Sequence, residues 1–292
     1  MSGISTNRTN VTLPTEVATE IIQKTQEQSA VMSLARQIEL PGSGLTIPVV
    51  TGDPEASWVD ETDKKPVSNP TLTTKIMQAY KLAVIVPFSD EFRRDWEALY
   101  NALVGRLPLA LAQKFDGTVF HGTAPGSNFD TFAAVTAQAI GTDLYSALVA
   151  ADTDIATHGG ILNGFAMSPQ GKGELLKATD NNERPLFINS MAEGAVPRVL
   201  GAPVEYSKAA YKAGTSGSGA TPDVIGFAGD WTQAMYGTVE GVKIDMSNQA
   251  TLTIGNEQVN LWERNMFAVR AEIEVGFRAD TTVFNKLTRT HV

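Results

Sequence analysis

The sequence predicts an α+β fold on three observations. From Ser89 to Phe120, apolar residues recur every three or four positions. Just before that stretch, two strand-like runs flank a long polar excursion, Thr51 to Thr74. From Asp143 onward, short helices and apolar strands alternate, the pattern of an α/β layer. With 292 residues, 42% hydrophobic and 19% charged, the chain can bury a substantial core as two domains or one elaborate one.

Residues Met1 to Leu13 read as an extended arm, polar and Thr/Asn-rich, with no apolar signal-peptide core. Leu13-Pro14-Thr15-Glu16 opens a helix with Val17, Ile21 and Ile22 on one face, ending near Gln28. Ser29 to Leu40 reads as a strand, Pro41 to Gly44 as a turn, and Leu45 to Val50 as a further strand. The excursion that follows has only Trp58, Val59, Val67 and Leu72 as sizeable apolar groups. It cannot build a core, yet it is too long for an ordinary turn. Ile76 to Val86 then resumes as a strand, with Ile76, Tyr80, Leu82, Val84 and Val86 on one parity. Two strands joined in this way describe a hairpin projecting from the body, and such a projection gains its order from a partner chain.

The long helix carries Phe92, Trp96, Leu99, Leu103, Leu107, Leu111, Phe115 and Val119 in one stripe. Ser89 is its expected cap, Asp90 and Glu91 sit in the first turn where the dipole favours them, and Gly117 and Gly122 are expected stops. Its span would be roughly 48 Å, with a kink near Gly105–Pro108, because Pro108 lacks a donor and crowds the Val104 carbonyl. Thr131 to Ala139 reads as a short strand, Asp143 to Ala156 as a helix, and Ile161 to Met167 as a strand. Ser168-Pro169 caps a helix running to Lys177. Val199 to Val204 and Asp223 to Ala228 are buried strands around a Gly/Ser surface loop, Lys212 to Pro222. Tyr236 to Met246 and Val259 to Phe277 are strand-like, and the tail from Arg278 is short and mixed.

The net charge of −9, with no Lys/Arg run, argues against a protein that grips nucleic acid through a basic face. Cysteine is absent, which excludes disulfides, thiolate metal sites and cysteine nucleophiles. No apolar run approaches a membrane span, and the expectation is a soluble protein. Gly171-Lys172-Gly173 lacks the Gly five positions before Lys172 that a phosphate loop needs, and has no Ser or Thr after the Lys. His158-Gly159-Gly160 has no Gly-x-Ser-x-Gly elbow to serve. Asp152-Thr153-Asp154 starts like a calcium loop but continues into Ile155 and Ala156. His121, His158 and His291 are too dispersed for a ligand set. No catalytic residue, cofactor or metal is therefore expected. Asp60, Glu61 and Asp63, beside Lys64 and Lys65, fit a solvated or intersubunit face better than a hydrolase site, which needs a partly dry pocket. Trp58, an aromatic within a charged loop, reads as an anchor against another chain.

The order of these parts resembles the major capsid proteins of tailed bacteriophages, with the HK97-type fold. The residues that carry it are Leu13-Pro14-Thr15-Glu16-Val17 with Ile21-Ile22, then Ile47-Pro48-Val49, then Ala56-Ser57-Trp58-Val59-Asp60-Glu61. Tyr80 to Glu91, Phe115 to Gly122, and Phe267 to Glu272 with Gly276-Phe277-Arg278 complete the set. The resemblance implies an arm and first helix (1–45), an extended loop (46–86), a peripheral domain with the spine helix (87–135 and 254–292) and an axial domain (136–253). It implies self-assembly into pentameric and hexameric capsomers of an icosahedral shell around viral DNA, held without sequence-specific binding and without a membrane. The intersubunit-contact candidates are Trp58, Glu61, Lys64, Lys65, Arg93 and Arg94. The short arm before Leu13 implies a separate scaffolding protein or none, alongside a portal and decoration proteins. The implied location is the virion, assembled in the host bacterial cytoplasm. Some relatives join a loop Lys covalently to a neighbour's Asn. Lys64 and Lys65 lie in the right region and Asn285 is a conceivable partner, but no local motif fixes that pairing. The rival readings are an encapsulin-like compartment shell of the same fold and, from another class, a soluble α/β hydrolase of one or two chains.

Overall fold

A computed structural model describes residues 24, 25, 28–42, 44–52, 58, 59, 64, 65, 71–93, 96–141, 143–179, 184, 186, 187, 198–239, 242–255 and 257–291. In chain order the elements begin with α1 (Ala30–Leu34), β1 (Arg36–Glu39), β2 (Leu45–Gly52), β3 (Thr71–Met77) and β4 (Tyr80–Ser89). The spine helix α2 (Trp96–His121) follows, then β5 (Thr136–Ile140), α3 (Leu144–Thr157), β6 (Gly164–Met167) and α4 (Pro169–Lys177). Next come β7 (Arg198–Val199), β8 (Ala202–Tyr206), β9 (Asp223–Gly229), β10 (Ala234–Thr238) and β11 (Lys243–Ser247). The chain closes with β12 (Thr251–Ile254), β13 (Glu257–Asn260), β14 (Met266–Ala279) and β15 (Phe284–Arg289).

Two sheets organise the body. The first is built on β14, which pairs with β4 along one edge and with β11 and then β10 along the other, β1 adding beyond β10. The second has six strands in the order β5-β15-β9-β6-β8-β7. The spine helix serves both. Leu107 and Leu111 pack over Phe267, Val269 and Ile273 of the first sheet, whereas Phe115, Val119 and Phe120 enter the larger core shared with the second. Phe120 stacks on Phe227 with ring centroids 4.8 Å apart, and Phe132 on Phe284 at 4.3 Å, offset pairs that add to the area they bury.

Several elements fall where the residue pattern put them. On β4, Leu82, Val84, Val86 and Phe88 face the core while Lys81, Ala83 and Ile85 face out. Ser168 caps α4 by accepting from the Gly171 amide at 3.0 Å, with Pro169 in the first turn. Asp143 caps α3 in the same manner. Other expectations shift for tertiary reasons. Ser89 does not cap the spine helix. The β4 ladder runs on through Ser89, which pairs with Met266, and the Asp90 amide donates to the Asn265 carbonyl at 2.9 Å. A 3-10 turn, Asp90–Arg93, then precedes a helix of 26 residues that passes through Pro108 and Gly117 and stops at Gly122, roughly 39 Å long. Ser29 to Leu40 divides into α1 and β1, since Ser29 caps a short helix by accepting from the Met32 amide at 3.1 Å. Ile76 belongs to β3 and is 48% exposed, because the chain changes sheets at Gln78 and Ala79. Of the helix expected before it, residues 24, 25 and 28 are helical and the rest lies outside the described residues.

Sheet partnership does not follow chain order. β15, from the C-terminal tail, lies within the six-stranded sheet between β5 and β9. β10 and β11 pair with β14. Strand partnership is set by which apolar faces can be buried together, and sequence proximity does not decide it.

Candidate assembly surfaces

The β2–β3 hairpin is a two-stranded sheet separate from the two sheets of the body. Its register runs from Leu45↔Met77 to Gly52↔Thr71, with an irregularity between Val50 and Gly52. Beyond it stands Trp58, 104% exposed, and Val59, Lys64 and Lys65 are exposed as well. A fully solvated indole gives nothing to the stability of its own chain, and an aromatic anchor of this kind is what an interface uses. Glu61 and Arg94 lie outside the described residues, and Arg93 has its backbone in the Asp90–Arg93 turn. Of the contact candidates, Trp58, Lys64 and Lys65 are thus exposed residues of the chain between β2 and β3. Asn285 is 0% exposed on β15, where its Nδ2 donates to the Ala151 carbonyl at 3.3 Å. A buried amide in the middle of a sheet offers a neighbour's lysine no access.

The outward face of the first sheet carries exposed ion pairs. Lys81 lies 3.0 Å from Glu272 and 3.2 Å from Glu274, and Arg270 lies 2.6 Å from Asp245. Hydrogen bonds to the two glutamates raise the Lys81 pKa. Exposed pairs of this sort contribute little to folding and leave a polar, patterned surface.

The buried polar groups escaped the sequence reading. Asp116, 0% exposed on the spine helix, accepts from Ser29 Oγ at 2.5 Å, Ser207 Oγ at 2.8 Å, and the Ala30 and Val31 amides at 3.0 and 3.4 Å. It therefore binds the start of α1 and the end of β8 to the spine. Burial pushes this carboxyl above the usual range, partly offset by the hydroxyl and amide donors. One turn further on, His121 Nε2 meets the Ala210 carbonyl at 3.1 Å. The sequence signal was an aspartate inside an apolar stripe, between Phe115 and Val119. A third cluster joins Asp223 to Arg289 at 3.2 Å and His291 at 2.6 Å, with Arg289 also 2.6 Å from Glu174. The Gly214 amide, then His291 and Arg289, hold the Asp223 carboxyl down to about 2 against its burial. Among the described residues no group of three or more His, Asp or Glu side chains is placed to hold a metal. Nor is any described helix long and apolar enough to cross a membrane.

His121 yields a pH prediction. Burial pushes its pKa down to about 4, opposed by the Ala210 carbonyl and reinforced by Lys212 and Lys286. An unfolded chain protonates this histidine near 6.5, so between pH 6.5 and 4 the unfolded state binds more protons and stability falls as pH drops. The shift corresponds to about 3.4 kcal/mol at most, and partial exposure of the ring screens this to about 2–3 kcal/mol at the acid end. His121→Gln, which keeps a donor for the Ala210 carbonyl, should flatten that slope in urea titrations at stepped pH while changing stability little at pH 8. Asp116 acts with the opposite sign, so the difference between parent and variant isolates His121.

Among the described residues, two sheets share one spine helix and the β2–β3 hairpin forms a two-stranded sheet of its own. The chain belongs to the phage capsid family, whose model matches residues 9–280. It is 30% identical over 295 residues to the probable major capsid protein gp17 of Mycobacterium phage D29, covering 94% of this chain and 89% of that one. It is 28% identical to the major capsid protein of Staphylococcus phage 80alpha, covering 94% and 84%. Among solved structures it shares the fold of a Gordonia phage Cozz chain with a TM-score of 0.69 at 22% identity, covering 91% and 87%. A chain from the capsid of an empty GTA particle matches with a TM-score of 0.63 at 15% identity, covering 90% and 97%.

Proposed function

We infer that this chain is the major capsid protein of a tailed phage, of HK97-type architecture, and that it self-assembles as pentamers and hexamers into the icosahedral shell enclosing the genome. The observation that carries the reading is Trp58, fully exposed in the chain between β2 and β3, within a chain of the phage capsid family. Long elements that gain order from neighbours suit a protein that must form many modest interfaces at once. The net charge of −9 suits a container that holds DNA without gripping it. In this reading the six-stranded sheet with α3 and α4 is the axial part, and the β14 sheet with the spine helix is the peripheral part. Assembly takes place in the host bacterial cytoplasm, with a separate scaffolding protein, a portal and decoration proteins as partners.

Negative-stain microscopy of the purified chain tests this. Uniform hollow shells or capsomer rings are expected, and compact particles of one or two chains would overturn it. Nucleic acid inside shells recovered from infected cells separates a virus from a compartment that houses enzyme cargo. A sharper check is Trp58→Ala. Because the indole is solvated in the free chain, the melting temperature should stay with the parent while shell yield drops. A matching fall in melting temperature would show that Trp58 packs within its own subunit instead.

A further inference from the structure

The hairpin is fastened to the body by side chains rather than by a shared ladder. β3 pairs with β2 and β4 pairs with β14, and the chain passes between the two through Gln78 and Ala79. At that crossing stands Arg278 of β14, 9% exposed. Its Nε donates to the Ile76 carbonyl at 2.8 Å, its Nη1 to Asp130 Oδ1 at 2.8 Å, and its Nη2 to Asn128 Oδ1 at 3.0 Å. Asp130 is held in turn by the Ala279 amide at 3.1 Å and lies 3.7 Å from Lys75 Nζ, which donates to the Ala279 carbonyl at 2.9 Å. The backbone lies close here: a Cβ on Gly276 would stand 2.7 Å from the Gln78 carbonyl oxygen. Met77, 0% exposed, roots the hairpin in apolar contact, but apolar contact is non-directional. A planar guanidinium with several donors in fixed directions sets an orientation as well as a position.

We propose that Arg278 is the positioning residue of the hairpin: by tying the Ile76 carbonyl to the Asn128–Asp130 loop it sets the angle at which β2–β3 leaves the body, and with it the docking of the hairpin on a second copy of this chain. This rests on the reading of the hairpin as an assembly element. Rotation about Gln78 and Ala79 is opposed by no continuous ladder, and the Arg278 fork, which holds a strand carbonyl directly, is the chief directional restraint there beside the single Lys75–Ala279 hydrogen bond.

The chain has no cysteine, so Thr46→Cys and Lys208→Cys, both at exposed positions, give a clean pair of spin labels from hairpin to body. Labelled subunits, diluted with unlabelled ones, are compared in the parent, Arg278→Met and Arg278→Lys backgrounds by pulsed distance measurement, melting and shell yield. The parent should give one narrow distance. Arg278→Met should fold, give a broad distribution and lower shell yield about tenfold, equivalent to about 1.4 kcal/mol. Arg278→Lys, which keeps the charge but offers one point donor, should fall between. A narrow distribution in Arg278→Met overturns the proposal, and so does a broad one with parental shell yield. If Arg278→Met does not fold, parental width and yield in Arg278→Lys overturn it equally. A chain whose hairpin tip has been removed but which still forms shells refutes the assembly role of the hairpin and leaves the distance result to judge the joint on its own.

Discussion

Replacing residues 53–70 by Asn-Gly is expected to give a chain that melts with the parent and forms no shells. Gly52 and Thr71 face each other in the register of β2 and β3, so a two-residue turn of this type can close the shortened hairpin. The described residues of the removed stretch, 58, 59, 64 and 65, are all exposed and belong to neither core cluster, and the one described indole there, Trp58, is solvated. The body should therefore keep its far-UV circular dichroism and melting temperature. Assembly should fail because each subunit loses the element that reaches beyond its own surface, and losses at every contact multiply around a closed shell. Normal shells by electron microscopy would remove the hairpin from the assembly mechanism.

Asp116→Ala should produce the largest loss of stability among single substitutions at the buried polar groups. It strands two hydroxyls and two amides that now share one carboxylate, and unsatisfied buried groups cost about 1–3 kcal/mol each before relaxation. A net loss of about 3–5 kcal/mol is expected, which lowers the melting temperature by roughly 10 °C in a chain of this size. Hydrogen exchange should locate the damage at α1 and the Lys208–Ala210 turn. Asp116→Asn retains a single acceptor oxygen and should recover part of the loss. A variant that melts with the parent would mean that the three elements are held by apolar packing alone.

Local chemistry was legible wherever it decided the outcome. Ser168-Pro169 announced α4, the alternation through Tyr80 to Val86 announced β4, and the apolar stripe announced most of the spine. Trp58 was legible for the opposite reason, since nothing around it in the sequence could bury it. β15 was not legible. Its buried positions include Asn285 and Thr288 beside Phe284 and Leu287, and polar residues become core residues only when partners such as the Ala151 and Gln138 carbonyls arrive from far along the chain. Ser89 keeps a local capping contact, its hydroxyl accepting from the Glu91 amide at 3.4 Å, but it heads the 3-10 turn while its backbone pairs with Met266, and the long helix begins only at Trp96. Arg278 and Asp130 are separated by 148 positions, and no spacing rule joins them.

The place of β15 has a consequence for when a subunit becomes usable. Residues 284–289 complete a sheet whose other strands come from residues 136–229, so during synthesis the middle of that layer stays open long after its flanks are made. Pairing across such separations is slow compared with local helix formation. Until β15 slots in, Phe132 and Trp231 lack Phe284, one of the rings they pack against, and the layer presents an unfilled seam. A chain that lacks residues 284–289 therefore leaves the middle of that sheet unpaired.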